Sequence, residues 1–198
     1  MQSNLYGGVA NVTNVVNYGN VSVTAQYGEA SGGGIIGISN TELTIMNAVN
    51  SGNITTVADG GYLALAGGII GTASTYTTVS DAINTGDICG RIAGGIAGRF
   101  TMGASLKNCI NTGKIYSTLT DEHTYLFLAG IAASAGIDST AVENAYSLTD
   151  GNGDINGETC SIDDLNSKDF YTGVLGWSEN VWKIDGLDIE AGIIPILK

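Results

Sequence analysis

The sequence predicts an all-β protein built as a β-solenoid of about four to five stacked coils with a small C-terminal cap containing a short helix. Three observations carry this: two short motifs that recur at a fixed interval, strand-like alternation between them, and thirty glycines against a single proline in 198 residues. The first motif is Asn-x-Gly-x-Ile/Val, at Asn17 to Val21, Asn50 to Ile54, Asn84 to Ile88 and Asn111 to Ile115, with spacings of 33, 34 and 27. The second is Gly-Gly-Ile-x-Gly, at Gly33 to Gly37, Gly67 to Gly71 and Gly94 to Gly98, with a decayed copy at Ala129 to Ala133 and a further candidate at Gly7 to Ala10. In three copies the first Gly precedes the Asn by the same 17 residues, so both motifs belong to one unit. A repeat of about 30 residues cannot bury its own apolar face and must stack on its neighbours.

The elements follow in chain order. Leu43 to Met46, Tyr62 to Leu65 and Tyr125 to Leu128 alternate apolar residues with period two and read as strands, about three per unit, separated by turns such as Ala58-Asp-Gly-Gly61 or Asn-x-Gly. With one unit per coil, like residues lie about 4.8 Å apart on successive coils. Ile35, Ile69, Ile96 and Ile131 then form an internal aliphatic column, and Asn17, Asn50, Asn84 and Asn111 a carboxamide ladder at a corner. The short repeat lacks the arc between Ile88 and Gly94 that other copies fill with longer loops, and Asp87 and Lys114 fall at one repeat position as an expected ion pair worth a few tenths of a kcal/mol.

The solenoid is assigned to residues 1–159 and the cap to residues 160–198. Ser161-Ile-Asp-Asp164 has the form of a capping box opening a helix. Trp177, Val181, Trp182, Ile184 and Ile193 to Leu197 form an aromatic and aliphatic cluster suited to plug an open coil end. Pro195, which lacks a backbone N–H, lies there rather than in a coil. The N-terminal end shows no equivalent cap, and Met1 opens on polar sequence without a signal peptide, so the chain reads either as cytosolic or as a piece of a longer array.

Composition excludes several classes. Seven basic residues face nineteen acidic ones, for a net charge of −12, which is the wrong sign for a nucleic-acid binder. No apolar run reaches membrane-spanning length, so no membrane insertion is expected. Cys89, Cys109 and Cys160 lack CxxC spacing and, beside one histidine, build no conventional zinc site; they suit buried small hydrophobes better than a Cys89–Cys109 disulfide.

The motifs resemble the GLUG-motif repeats of bacterial surface and secreted proteins, and Phe170-Tyr-Thr-Gly through Ile194-Pro-Ile-Leu-Lys198 is similar to the segment that often ends such arrays. The resemblance covers roughly residues 7 to 198. It implies a right-handed parallel β-helix, secreted or at the cell surface, in proteins often regarded as adhesins. It also implies a host glycan or protein ligand as partner, and membership of a longer surface protein. Similar repeats accompany the peptidase domain of immunoglobulin-A-cleaving metalloenzymes, so an accessory domain of a secreted hydrolase is the alternative. The fourth copy departs from the pattern, as if the array were ending. The repeat carries no catalytic residues that could be transferred.

Candidate sites in the residues themselves are few. His123 sits between Asp121, Glu122 and the next strand, and fits a solvated loop tip better than a metal or acid–base centre. Asp150, Asn152, Asp154 and Asn156 alternate with glycines as in loops that wrap Ca²⁺, but in EF-hand frame the first ligand is Asn152 and the last Asp163, where Asp and Glu are required. A polar connector is the plainer reading. Arg91, Arg99, Lys107 and Lys114 with Asp81 and Asp87 could line a cleft for acidic polysaccharide, against the alternative of charges scattered for solubility. Gly32 to Gly37 neither ends in Lys-Ser/Thr nor opens a helix, which removes the phosphate-loop reading, and no Gly-x-Ser-x-Gly occurs. Trp177 and Trp182 suit either a sugar-stacking platform or the core of the cap. The expectation is therefore a non-catalytic scaffold without an identified cofactor.

Overall fold

The computed structural model describes residues 8–73, 76–101, 103–118, 126–134, 141–148, 151 and 157–198. The coils have four strands each. The first comprises β1 (Val9–Asn17), β2 (Val21–Ala25), β3 (Ala30–Gly33) and β4 (Ile36–Ser39); the second β5 (Glu42–Asn50), β6 (Ile54–Ala58), β7 (Ala64–Gly67) and β8 (Ile70–Ala73). The third comprises β9 (Thr77–Asn84), β10 (Ile88–Cys89), β11 (Ile92–Gly94) and β12 (Ala97–Phe100); the fourth β13 (Ser105–Asn111), β14 (Ile115–Tyr116), β15 (Phe127–Ala129) and β16 (Ala132–Ser134). β17 (Ala141–Ser147) opens another coil and β18 (Glu158–Thr159) pairs beyond it. Equivalent strands join into four parallel sheets, the largest running β1-β5-β9-β13-β17-β18. The architecture is thus the expected β-solenoid, with four strands per coil rather than three. The extra strand arises because the glycine motif is itself a corner between two strands, with Gly33 ending β3 and Ile36 starting β4.

The sequence registers are the pairing registers. Asn17 stands opposite Asn50, Asn50 opposite Asn84 and Asn84 opposite Asn111. The isoleucine column is joined by its own backbone: Ile35 N–H donates to the Ile69 carbonyl at 3.0 Å, and Ile69 and Ile96 donate to the Ile96 and Ile131 carbonyls, each at 2.9 Å. Ile69, Ile96 and Ile131 are fully buried with Ile45, Val79, Phe100 and Leu106. The shortened repeat does lose the arc expected: two residues link β10 to β11, where the coil before it has a five-residue loop. The Gly7 to Ala10 candidate is not a fifth glycine corner, because Val9 already lies in β1 opposite Glu42, which opens the second coil and follows the first coil's corner at Gly33 to Gly37.

The cap is one short helix, α1 (Ile162–Asn166), a π-helical turn (Phe170–Val174) and the antiparallel pair β19 (Trp182–Lys183) and β20 (Ile196–Leu197). The capping box forms: Ser161 Oγ accepts the Asp164 N–H at 3.0 Å, and Asp164 Oδ2 accepts from the Ser161 hydroxyl at 2.7 Å and from the Ser161 N–H at 2.9 Å; the hydroxyl bond first, and the backbone bond after it, hold the Asp164 carboxyl below its usual range. The cap does not plug a coil end. Its Leu165, Phe170, Tyr171, Leu175, Trp177, Trp182 and Ile184 bury against Val49, Ile83 and Ile110, with Val16 and Tyr146 also packed there. Those five residues occupy one register position of β1, β5, β9, β13 and β17, so the cap lies along the flank of the stack. A flank that presents one apolar side chain per coil gives the cap a continuous apolar stripe to bury.

Candidate functional site

The most developed chemistry in the molecule is the corner where the two motifs meet. Each interior Asn saturates its carboxamide. Asn50 Nδ2 donates to the Gly52 carbonyl at 2.8 Å and to Asn84 Oδ1 at 2.7 Å; Asn84 Nδ2 donates to Gly86 at 2.8 Å and to Asn111 Oδ1 at 2.8 Å. Asn17 starts the chain with a 2.8 Å bond to Asn50 Oδ1, and Asn111 ends it on Ser147 Oγ at 3.3 Å. Buried amides tolerate desolvation only when paired in this way. The 17-residue interval has a contact behind it: a Cβ on Gly34, Gly68 or Gly95 would meet the side chain of Asn50, Asn84 or Asn111 at 2.5, 2.4 and 2.2 Å. The glycine of Asn-x-Gly is required by stacking itself, since a Cβ on Gly52, Gly86 or Gly113 would lie 2.0 to 2.1 Å from the carbonyl oxygen of the glycine one coil earlier.

A second ladder escaped the sequence reading. Asn14, Asn47, Asp81, Asn108 and Asn144 all have positive φ, from 49° to 55°, a conformation that Asn and Asp tolerate best among residues with a Cβ. Each sits three residues before a ladder Asn or before Ser147, so Asn/Asp-x-x-Asn-x-Gly was the available signal. The twisted residue resets the in–out alternation, so that Ala48 faces the interior, Val49 the cap and Asn50 the interior again. Here Nδ2 donates toward the preceding coil: Asn47 to Asn14 at 2.9 Å, Asn108 to Asp81 at 2.9 Å and Asn144 to Asn108 at 3.1 Å. No bond links Asp81 to Asn47, because a carboxylate has no hydrogen to donate. Burial pushes the Asp81 carboxyl up, opposed by its bond from Asn108 and by the Lys107 charge.

Asp87 and Lys114 do share a repeat position, but the contact differs from the expected ion pair. Asp87 Oδ1 accepts the backbone N–H of Lys114 at 3.0 Å, as Asn53 Oδ1 accepts from Asp87 and Asn20 Oδ1 from Asn53, both at 2.9 Å. The corner fixes the backbone donor there, whereas a flexible ammonium loses entropy by pairing.

The basic residues do not gather into a cleft. Arg91, at the shortened corner, donates to the Gly61 and Tyr62 carbonyls of the longer loop one coil earlier. Arg99 lies in β12, Lys107 in β13 where it pairs with Glu143 at 3.0 Å, and Lys114 at the Asn-x-Gly corner. All three cysteines are free and buried, so Cys89 and Cys109 form no disulfide; burial pushes the Cys109 thiol up to about 12 and the Cys160 thiol up to about 11. Trp177 and Trp182 stack at 4.2 Å and are 2% and 1% exposed, which rules out the sugar platform, and Trp177 Nε1 donates to the Asn108 carbonyl at 3.3 Å.

His123 and the Ca²⁺ candidates Asp150, Asn152, Asp154 and Asn156 lie outside the described residues. Among the described residues, no three of His, Cys, Asp and Glu converge as a metal site, and no helix is long and apolar enough to cross a membrane. Comparison with known protein families, with curated proteins and with solved structures finds no match to this chain.

Proposed function

We propose that this chain is a non-catalytic, extracellular β-helix segment of a bacterial surface protein, serving as a stalk or scaffold that presents ligand-binding parts in adhesion. The supporting observation is where its polar chemistry goes. The carboxamides and turn oxygens that recur in every unit bond coil to coil, along the stacking axis, rather than into a cleft. A rod with continuous cross-coil bonding resists bending and shear, which is what a spacer needs. The likeness of its motifs to GLUG repeats supports the extracellular setting.

Antibodies raised against this chain and applied to intact cells test the reading. Surface labelling, together with loss of adherence when the second and third coils are deleted from the full reading frame without loss of export, is the expected result. Labelling only after permeabilisation overturns it. A hydrolase domain in the same polypeptide, with adherence unaffected, favours the accessory-domain alternative.

A further inference from the structure

The cap does not close uniformly on the flank it covers. Over the third and fourth coils the contact is tight and Ile83 and Ile110 are fully buried. Val49 of the second coil is buried as well, but over the first coil the end of the cap stands off, leaving Val16 half-buried beside an open cavity of about 440 Å³. Its floor is aliphatic, formed by Val16 and Val49 of the coils and Ile194 and Leu197 of the cap, with Tyr18, Lys183 and Asp185 at the rim. The two rim charges are not equivalent. Asp185 faces Lys168 at 3.7 Å, whereas Lys183 joins none of the ion pairs among the described residues. Lys183 is paired on β19 opposite Ile196, while its neighbour Trp182 turns inward into the cap core, so the backbone that carries the ammonium is anchored at the rim.

We propose that this cavity binds a medium-chain alkyl carboxylate, with the alkyl chain on the aliphatic floor and the carboxylate on Lys183. An aliphatic pocket with one unpaired cation at its edge selects an anion with an apolar tail, because the tail gains burial and the head gains a charge-assisted bond. At the ~30 Å³ that a water occupies in the liquid, the cavity volume of about 440 Å³ corresponds to roughly fifteen such groups, enough for a chain of ten to twelve carbons together with its carboxylate oxygens. The site is independent of whether the chain serves as a stalk, since it needs only the cap and the first two coils.

The test is titration of the full chain with decanoate, followed by tryptophan fluorescence, because Trp182 adjoins Lys183, and by amide chemical shifts. Saturable binding with shifts confined to Val16, Val49, Lys183 and the 192–197 segment is expected. Lys183→Gln, an exposed change, should weaken decanoate about threefold to tenfold and leave decanol binding unchanged. Val16→Trp, with its melting curve checked, should fill the floor and abolish both. Absence of saturable decanoate binding, equal binding of decyltrimethylammonium, or an unchanged affinity in Lys183→Gln would each overturn the proposal.

Discussion

The coils and the cap are held by opposite means. In the coils the same few residues recur, and stability comes from stacking like on like: carboxamide on carboxamide, isoleucine on isoleucine, glycine against the carbonyl of the preceding glycine. In the cap nothing repeats, and a chain of rings does the joining, from Tyr146 on Phe170 at 5.0 Å through Tyr171 and Trp177 to Trp182. A repeat that must match its neighbour on both sides tolerates little change of shape at its packed corners, although its loops vary in length. An aromatic cluster loses area in proportion to what is removed, and need not take the stack with it.

The sharpest break of that contrast is Gly86→Ala. Its Cβ would sit 2.1 Å from the Gly52 carbonyl oxygen, and backbone on both sides must move, so a loss of more than about 4 kcal/mol is expected, read as failure to fold or a collapsed urea midpoint. Trp182→Ala should cost about 3–5 kcal/mol in the cap. Thiol labelling then separates the regions: Cys160, packed in the cap cluster, should label well before Cys109, which lies inside the stack. Simultaneous labelling would show one cooperative unit.

Asn84→Ala strands the Asn50 Nδ2 proton, Asn111 Oδ1 and the Gly86 carbonyl in a buried corner, and should cost about 2–4 kcal/mol by chemical denaturation. The same substitution at Asn17, at the exposed start of the ladder, should cost less, and equal losses would contradict the ladder account. The smallest effect has the opposite sign. Asp81→Asn supplies the missing donor to Asn47 and removes a half-buried charge, and should stabilise by about 1 kcal/mol. The wild-type Asp81 carboxyl is raised in the folded state, so its penalty is present at neutral pH and is relieved as pH falls through the raised value. Asp81→Asn should abolish that component of the pH dependence in melting experiments.

Much of the stack was legible before any coordinates, for a specific reason. Asn17, Asn50, Asn84 and Asn111 recur because each must bond to its equivalents, and the 17 residues from Gly67 to Asn84 persist because Gly68 touches Asn84. The left-handed ladder was visible in principle, as Asn or Asp three residues earlier, but Asn108 looks locally like any strand or turn residue. The repeat sets Asp87 beside Lys114, but the bond runs to the Lys114 backbone N–H rather than to its ammonium, since charge pattern says which residues are near and not which of their atoms meet.

The sequence by itself determined the solenoid, its column and its ladder, because in a repeat the partner of each residue is its own copy and periodicity alone identifies it. Only the tertiary structure decided where the cap lies. Val16, Val49, Ile83, Ile110 and Tyr146 are single outward-facing residues, one per coil, and become a continuous apolar stripe only once the coils are stacked. The repeat places these residues in register, each directly before a ladder residue, but it does not say which later segment covers them, because the cap that does so carries no repeat. Burying the stripe gives the cap its position along the flank and leaves the cavity beside Lys183.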